Sequence, residues 1–152
     1  MKSYNFASGV QCIIGGLEIG GYDDDGGVTI DKVEAYAVMT AGADGEATVS
    51  RNANRNATVV ITVKQTSASN AILQSLLASQ ELDATGISYA VPFLLTDDSN
   101  GESVSSAHSV IEGPPTRSFL KEASAREWTI LIDNVSEVAA GASALISEFF
   151  SV

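Results

Sequence analysis

The sequence predicts a mainly β (α+β) protein, an antiparallel sandwich or partial barrel with one flanking α-helix. Segments in which apolar and polar residues alternate recur along the chain, separated by turns rich in Gly, Asp and Asn. Only one segment, ending near Leu82, carries apolar residues at helical spacing. A parallel βαβ repeat is disfavoured, because a single helical crossover is available for about seven strands.

Each element has its own signal. A first strand is expected over 10–19, with Gly15 and Gly16 as bulges or close backbone contacts in a bent strand. The run Gly20, Gly21, Tyr22, Asp23, Asp24, Asp25, Gly26, Gly27 reads as a hairpin tip or a longer loop, since Gly and Asp tolerate positive φ or make side-chain turns. A strand over 28–39 follows, then a turn at Gly42-Ala43-Asp44-Gly45. After it Ala47 and Val49 alternate with polar neighbours, and 52–56 forms a polar turn. Ala57, Val59, Ile61 and Val63 then alternate with Thr58, Thr62 and Lys64 in the cleanest period-two strand of the chain.

In the helix, Thr66 or Ser67 can cap the free N–H groups, and Ile72, Leu73, Leu76, Leu77 and Leu82 form a stripe that must pack on a sheet. Beyond Gly86, the residues Tyr89, Val91, Phe93 and Leu95 share one strand face. Pro92 marks an edge or a bulge, because it cannot donate to a ladder. A hairpin turn at 97–101 leads into a partner strand over 103–111, which Gly113-Pro114-Pro115 ends. The stretch 127–133 places Trp128, Ile130 and Ile132 on one face, and the Ala-rich stretch 139–150 fits helix and strand alike.

At 152 residues and 15.8 kDa the chain has the size of one domain, spanning 1–152. Only 18% of the residues are charged, so the surface is built largely from Ser, Thr, Asn and Gly. Such an exterior suits a monomer, and equally a subunit whose surface disappears into an assembly. The formal net charge of −11 excludes ordinary phosphate binding, which draws its affinity from basic groups. Between Lys64 and Arg117 there are six acids and no Lys or Arg, so some face is purely acidic. The single cysteine, Cys12, is expected to be a small buried apolar residue. With no apolar h-region and no run of 18 apolar residues, a soluble, cytoplasmically made protein without membrane insertion is expected.

The chemistry of sites points away from an enzyme, a cofactor or a metal. His108 is the only histidine, and the serines near it in a strand do not thereby share its face. One Cys and one His cannot build a structural zinc site. If Gly26 is set at the sixth position of a calcium loop, Gly21 falls first and Lys32 twelfth, where acids are required. The paired glycines are followed by neither a Lys-Ser/Thr nor a helix start, so they fit no phosphate-binding pattern.

Several segments taken together resemble the tail tube proteins of long-tailed bacteriophages, in particular the short structural-protein family of contractile-tail phages. These are Gly42-Ala43-Asp44-Gly45-Glu46, then Val59-Val60-Ile61-Thr62-Val63-Lys64-Gln65-Thr66-Ser67, then 70–80, and later Ile111-Glu112-Gly113-Pro114-Pro115 followed by Glu127-Trp128. The Asp23, Asp24, Asp25 cluster and the Ala-rich tail depart from that pattern. The resemblance implies a β-barrel-like subunit with a flanking helix, of the phage tail tube type. It also implies a homo-hexamer whose rings stack into a hollow tube in the virion tail. Sheath, tape-measure and baseplate or terminator proteins would be its partners, and DNA would pass through without specific binding during ejection.

On that expectation the segment Gly20, Gly21, Tyr22, Asp23, Asp24, Asp25, Gly26, Gly27 is the candidate ring-stacking loop, and Glu18, Glu34 and Glu112 are candidate lumen acids. The alternative is a monomeric β-sandwich binding module for carbohydrate or a host surface, with the acidic loops as its site.

Overall fold

A computed structural model describes residues 3–83 and 90–139. The chain enters through a short helix, α1 (Phe6–Gly9), whose first turn is capped by Asn5 Oδ1 accepting from the Ala7 N–H at 3.0 Å. Strands β1 (Val10–Ile14) and β2 (Leu17–Ile19) then pair antiparallel. The single strand expected over 10–19 folds back on itself, because Gly15 and Gly16 adopt φ of 61° and 82°. Two consecutive positive φ values build the two-residue turn whose twist matches a hairpin, and glycine reaches them without strain.

The segment 20–27 crosses to the far side of the sheet. There it lies along β6 (Ala57–Lys64): Lys64 N–H donates to the Gly21 carbonyl at 2.9 Å, Tyr22 bridges Val63, and Thr62 N–H donates to the Gly27 carbonyl at 3.0 Å. Strand β3 (Val28–Lys32) continues that pairing. The expected strand over 28–39 is in fact two strands in two sheets. β4 (Ala37–Ala41) pairs only with β5 (Ala47–Arg51), as a separate two-stranded ribbon. The Asp31 to Tyr36 stretch has no break residue, so alternation alone carries no sign that the chain leaves one sheet for another.

After β6 comes α2 (Ser69–Leu82), followed by β7 (Val91–Asp97), β8 (Glu102–Ile111), β9 (Ala125–Ile132) and β10 (Ser136–Val138). The main sheet runs β2-β1-β7-β8-β9-β6-β3 with β10 alongside β8, all pairs antiparallel, and it curls without closing. This is the mainly β architecture with one substantial helix that the sequence predicts, open rather than sealed. Tyr89, Gly86 and the Ala-rich stretch beyond Ala139 lie outside the described residues.

Period-two patterning builds the core. Val59, Ile61 and Val63 of β6 and Trp128, Ile130 and Ile132 of β9 all point inward and are buried, against Ile14, Phe93 and the helix residues Leu73 and Leu77. Ile72 and Leu76 are half-buried on the same helix face, whereas Leu82, expected in that stripe, is 86% exposed. Five residues past Leu77 the helix has turned roughly 140° beyond a full turn, which carries Leu82 off the packed face.

Neither expected capping residue takes the N-cap position, which is Ala68 with no side-chain cap bond; Ser67, one residue before it, accepts the Ser69 N–H on its Oγ at 3.2 Å. Buried polar groups lock helix to sheet. Asn70 Oδ1 accepts the Trp128 indole N–H at 3.0 Å while its amide donates to the Lys64 and Gln65 carbonyls. Gln80 pairs its side-chain amide with the backbone of Ile111 in both directions at 2.9 Å.

Pro92 sits at a bulge, as its missing N–H predicts. From Val91 to Phe93 β7 advances two residues, while β8 advances three, from Ser109 to Ser106.

Candidate assembly surfaces

The β4–β5 ribbon stands away from the main sheet as an arm. Every residue from 31 to 51 is exposed. Cross-strand pairs Ala37↔Arg51, Met39↔Val49 and Ala41↔Ala47 share one face, so that face is apolar except at Arg51. Met39 is 69% exposed and Val49 53%, and nothing in the subunit covers them among the described residues.

The base of the arm is held firmly. Asn52 N–H donates to the Tyr36 carbonyl at 2.9 Å, and the Asn52 amide donates to the Glu34 carboxylate. The Arg55 guanidinium lies 3.9 Å over the Tyr36 ring and donates to the Asn52 and Asn54 carbonyls. At the tip, Gly45 takes φ of 84° and Gly42 N–H donates to the Glu46 carbonyl. A rigid base carrying an unpacked apolar arm is the geometry of an element that finds its packing in another molecule.

The main sheet also leaves edges unpaired among the described residues: β2, the outer side of β3 and the outer side of β10. The Thr62–Gly27 and Val33–Asn56 bonds set the ladder parity of β3, so the N–H groups of Val28, Ile30 and Lys32 point outward. An edge of this kind is a template for another strand.

The sequence-expected site residues fall in separate places. Glu18 is exposed on the edge strand β2, Glu34 is engaged by Asn52 at the base of the arm, and Glu112 is exposed just past β8, its N–H bonded to the Thr129 carbonyl at 3.0 Å. The three are not brought together. Within 20–27, Asp24 and Asp25 are exposed and Tyr22 is half-buried against Phe6, with ring centroids 4.9 Å apart; burial raises its phenol pKa. Gly26 is tightly packed, since a Cβ there would stand 2.5 Å from the Thr62 carbonyl oxygen. Sequence reasoning missed the arm, because the same alternation marks a core strand and a free one.

The other expectations about chemistry can be placed as well. Cys12 is fully buried, and desolvation pushes its thiol up to about 12. His108 Nδ1 lies 3.3 Å from Asp133 Oδ1, while the Ser106 hydroxyl is bonded to the backbone carbonyls of Asp133 and His108. The serine thus serves the β8 bulge and not the imidazole. No group of three or more His, Cys, Asp and Glu side chains among the described residues could hold a metal ion. No helix among them is long and apolar enough to cross a membrane.

No curated protein sequence matches the chain. Solved structures share its fold at low identity. The tube-terminating cap of the anti-feeding prophage superposes with a TM-score of 0.56 at 10% identity, covering 91% of this chain and 93% of that one. The sheath–tube complex of the extracellular contractile injection system PVC, in its extended state, gives 0.54 at 9% identity over 86% and 88%. The sheath/tube terminator of the same system gives 0.54 at 10% identity over 87% and 94%. At the level of sequence, residues 1–140 match the family model described as the bacteriophage PhiTE tail tube protein. The chain belongs to that tail tube family, whose members are structural, non-enzymatic components of the phage tail.

Proposed function

We propose that this subunit closes into hexameric rings that stack into the hollow tube of a contractile tail, through which DNA passes during ejection. The observation that carries the reading is the β4–β5 arm, an exposed ribbon with one apolar face and a braced base. An isolated two-stranded ribbon is marginal in water, so an arm of this kind gains its stability by packing on a neighbouring copy. In this reading the arm reaches the adjacent ring, and the exposed tip of 20–27, at Asp24 and Asp25, adds a second stacking contact. Ring neighbours meet at the unpaired edges of the main sheet, which satisfies the outward N–H and C=O groups.

The charge supports a conducting role. Unpaired carboxylates cost several kcal/mol each to bury, so the excess of 11 negative charges per subunit faces water. Glu18, Glu34 and Glu112 remain the proposed lumen acids, and all three are exposed in the subunit. Carboxylates on an inner wall repel DNA phosphates within a Debye length, so the genome slides without sticking. Sheath, tape-measure and baseplate or terminator proteins are the proposed partners. The likeness to a sheath–tube complex and a terminator supports two of these.

Electron microscopy of the purified protein tests the proposal. Stacked rings are the expected result, and a monomer at all concentrations would overturn it in favour of a binding module. Replacing 37–51 by a short turn is expected to leave folded rings or monomers that no longer stack. Removing 23–26 is expected to weaken stacking, and normal tubes from that deletion would take the loop out of the contact. Changing Glu18 or Glu112 to Lys is expected to preserve tubes and to slow DNA ejection more at low salt than at high salt.

A further inference from the structure

At one end of β8 the curled sheet stays open between the edges of β3 and β10. The opening is a groove of about 320 Å³. Its floor is apolar, formed by Val28, Ile30, Leu95 and Val104. Its rim carries the carboxylates of Asp97, Glu102 and Glu137, and among the described residues no Lys or Arg lines it. At the other end of β8, the connection to β9 presents the opposite character. Phe119 and Leu120 are adjacent there and 76% and 72% exposed, with Arg117 on one side and Lys121 on the other.

This protrusion is braced from two directions. Arg117 Nη2 donates to Gln74 Oε1 on α2 at 2.6 Å, and the Arg126 guanidinium stands 5.8 Å over the Phe119 ring. The shapes and charges are complementary: an acidic-rimmed apolar groove and a cation–Phe–Leu–cation knob. None of residues 117–121 lines the groove and Phe119 and Leu120 stay exposed, so a subunit does not fill its own groove with its own knob.

We propose that the knob at 117–121 of one copy docks in the β3–β10 groove of the next copy, Phe119 and Leu120 covering the apolar floor while Arg117 and Lys121 face Asp97, Glu102 and Glu137. The contact is head-to-tail and uses two different surfaces of the same chain, the type that generates a closed ring or an extending filament. It deepens the ring-and-tube reading and rests on it, by naming the surfaces that join neighbours. In a subunit of net charge −11, it also sets the two knob cations, Arg117 and Lys121, against three groove carboxylates.

The test is a charge swap read by sedimentation and electron microscopy. The double variant Arg117→Glu/Lys121→Glu changes exposed side chains, so its circular dichroism should match wild type, while the concentration needed for assembly should rise at least tenfold. Adding Glu102→Lys and Glu137→Lys to the same chain restores the pairing with inverted signs and should restore assembly. As a second readout, a mixture of Leu120→Cys and Glu137→Cys chains should form an intermolecular disulfide on oxidation, with buried Cys12 as a silent background. Unchanged assembly by the double variant, or no cross-link within assembled tubes, overturns this inference and leaves the ring reading standing. A wild-type protein that never assembles overturns the ring reading itself.

Discussion

The β6–β9 pair and the β4–β5 arm are built from the same kind of sequence and have opposite fates. Both alternate apolar and polar residues, and both are antiparallel ribbons in regular register. In β6 and β9 every inward residue from Ala57 to Val63 and from Trp128 to Ile132 is buried. In the arm no residue is buried at all. The difference lies in what stands opposite. β9 faces α2, and the Trp128 indole finds Asn70 waiting for its N–H, whereas among the described residues nothing covers the Met39–Val49 face of the arm. Alternation therefore states that a strand has an apolar face, and the partner that covers it decides whether that face belongs to a core or to an interface.

The comparison breaks most sharply at Trp128. Trp128→Ala removes the largest buried side chain and leaves Asn70 without its donor, so it should destabilise the subunit by about 3–5 kcal/mol. Chemical denaturation of unassembled protein measures this, and a loss below about 1 kcal/mol would show that the β6–β9 face is not the anchor of the core.

Next in size is an alkaline transition at Cys12. Burial raises the folded-state thiol from 9.0 to about 12, so between these values the unfolded chain sheds a proton that the folded chain keeps. The stability from this group is fully present below pH 9 and falls above it by about 1.4 kcal/mol per pH unit, until the folded thiol itself titrates. Cys12→Ala should reduce that slope most clearly between pH 9 and 10, before the half-buried Tyr22 phenol adds a loss of the same sign, while the arm, which holds no buried titratable group, should not contribute to it.

A smaller effect is expected at Gly45, whose φ of 84° at the arm tip suits glycine. Gly45→Ala should cost about 1 kcal/mol of local arm stability, visible as faster amide exchange in β4 and β5 with the main sheet unaltered. The smallest effect on the subunit should come from Met39→Ser/Val49→Ser. It removes only exposed side chains, so its unfolding free energy should stay within about 0.5 kcal/mol of wild type. Tube assembly should nevertheless be lost. A variant that assembled normally would move the stacking contact away from the arm.

The amino-acid sequence by itself determined the elements whose signals are local. β6 is legible in its strict alternation, α2 in the spacing of Leu73 and Leu77, the Pro92 bulge in a missing N–H, and the turns in glycines at 42–45 and 101. Composition likewise determined that the surface is acidic and poor in catalytic groups. Only the tertiary structure decided which apolar faces are covered. It split 28–39 between two sheets, turned 10–19 back at Gly15, released Leu82 to solvent and opened a groove between β3 and β10. Periodicity and turn chemistry act over a few residues, whereas burial depends on neighbours such as Asn70 and Trp128, 58 positions apart in the chain. Pairings at that range are chosen by the whole curl of the sheet, which no window along the sequence contains.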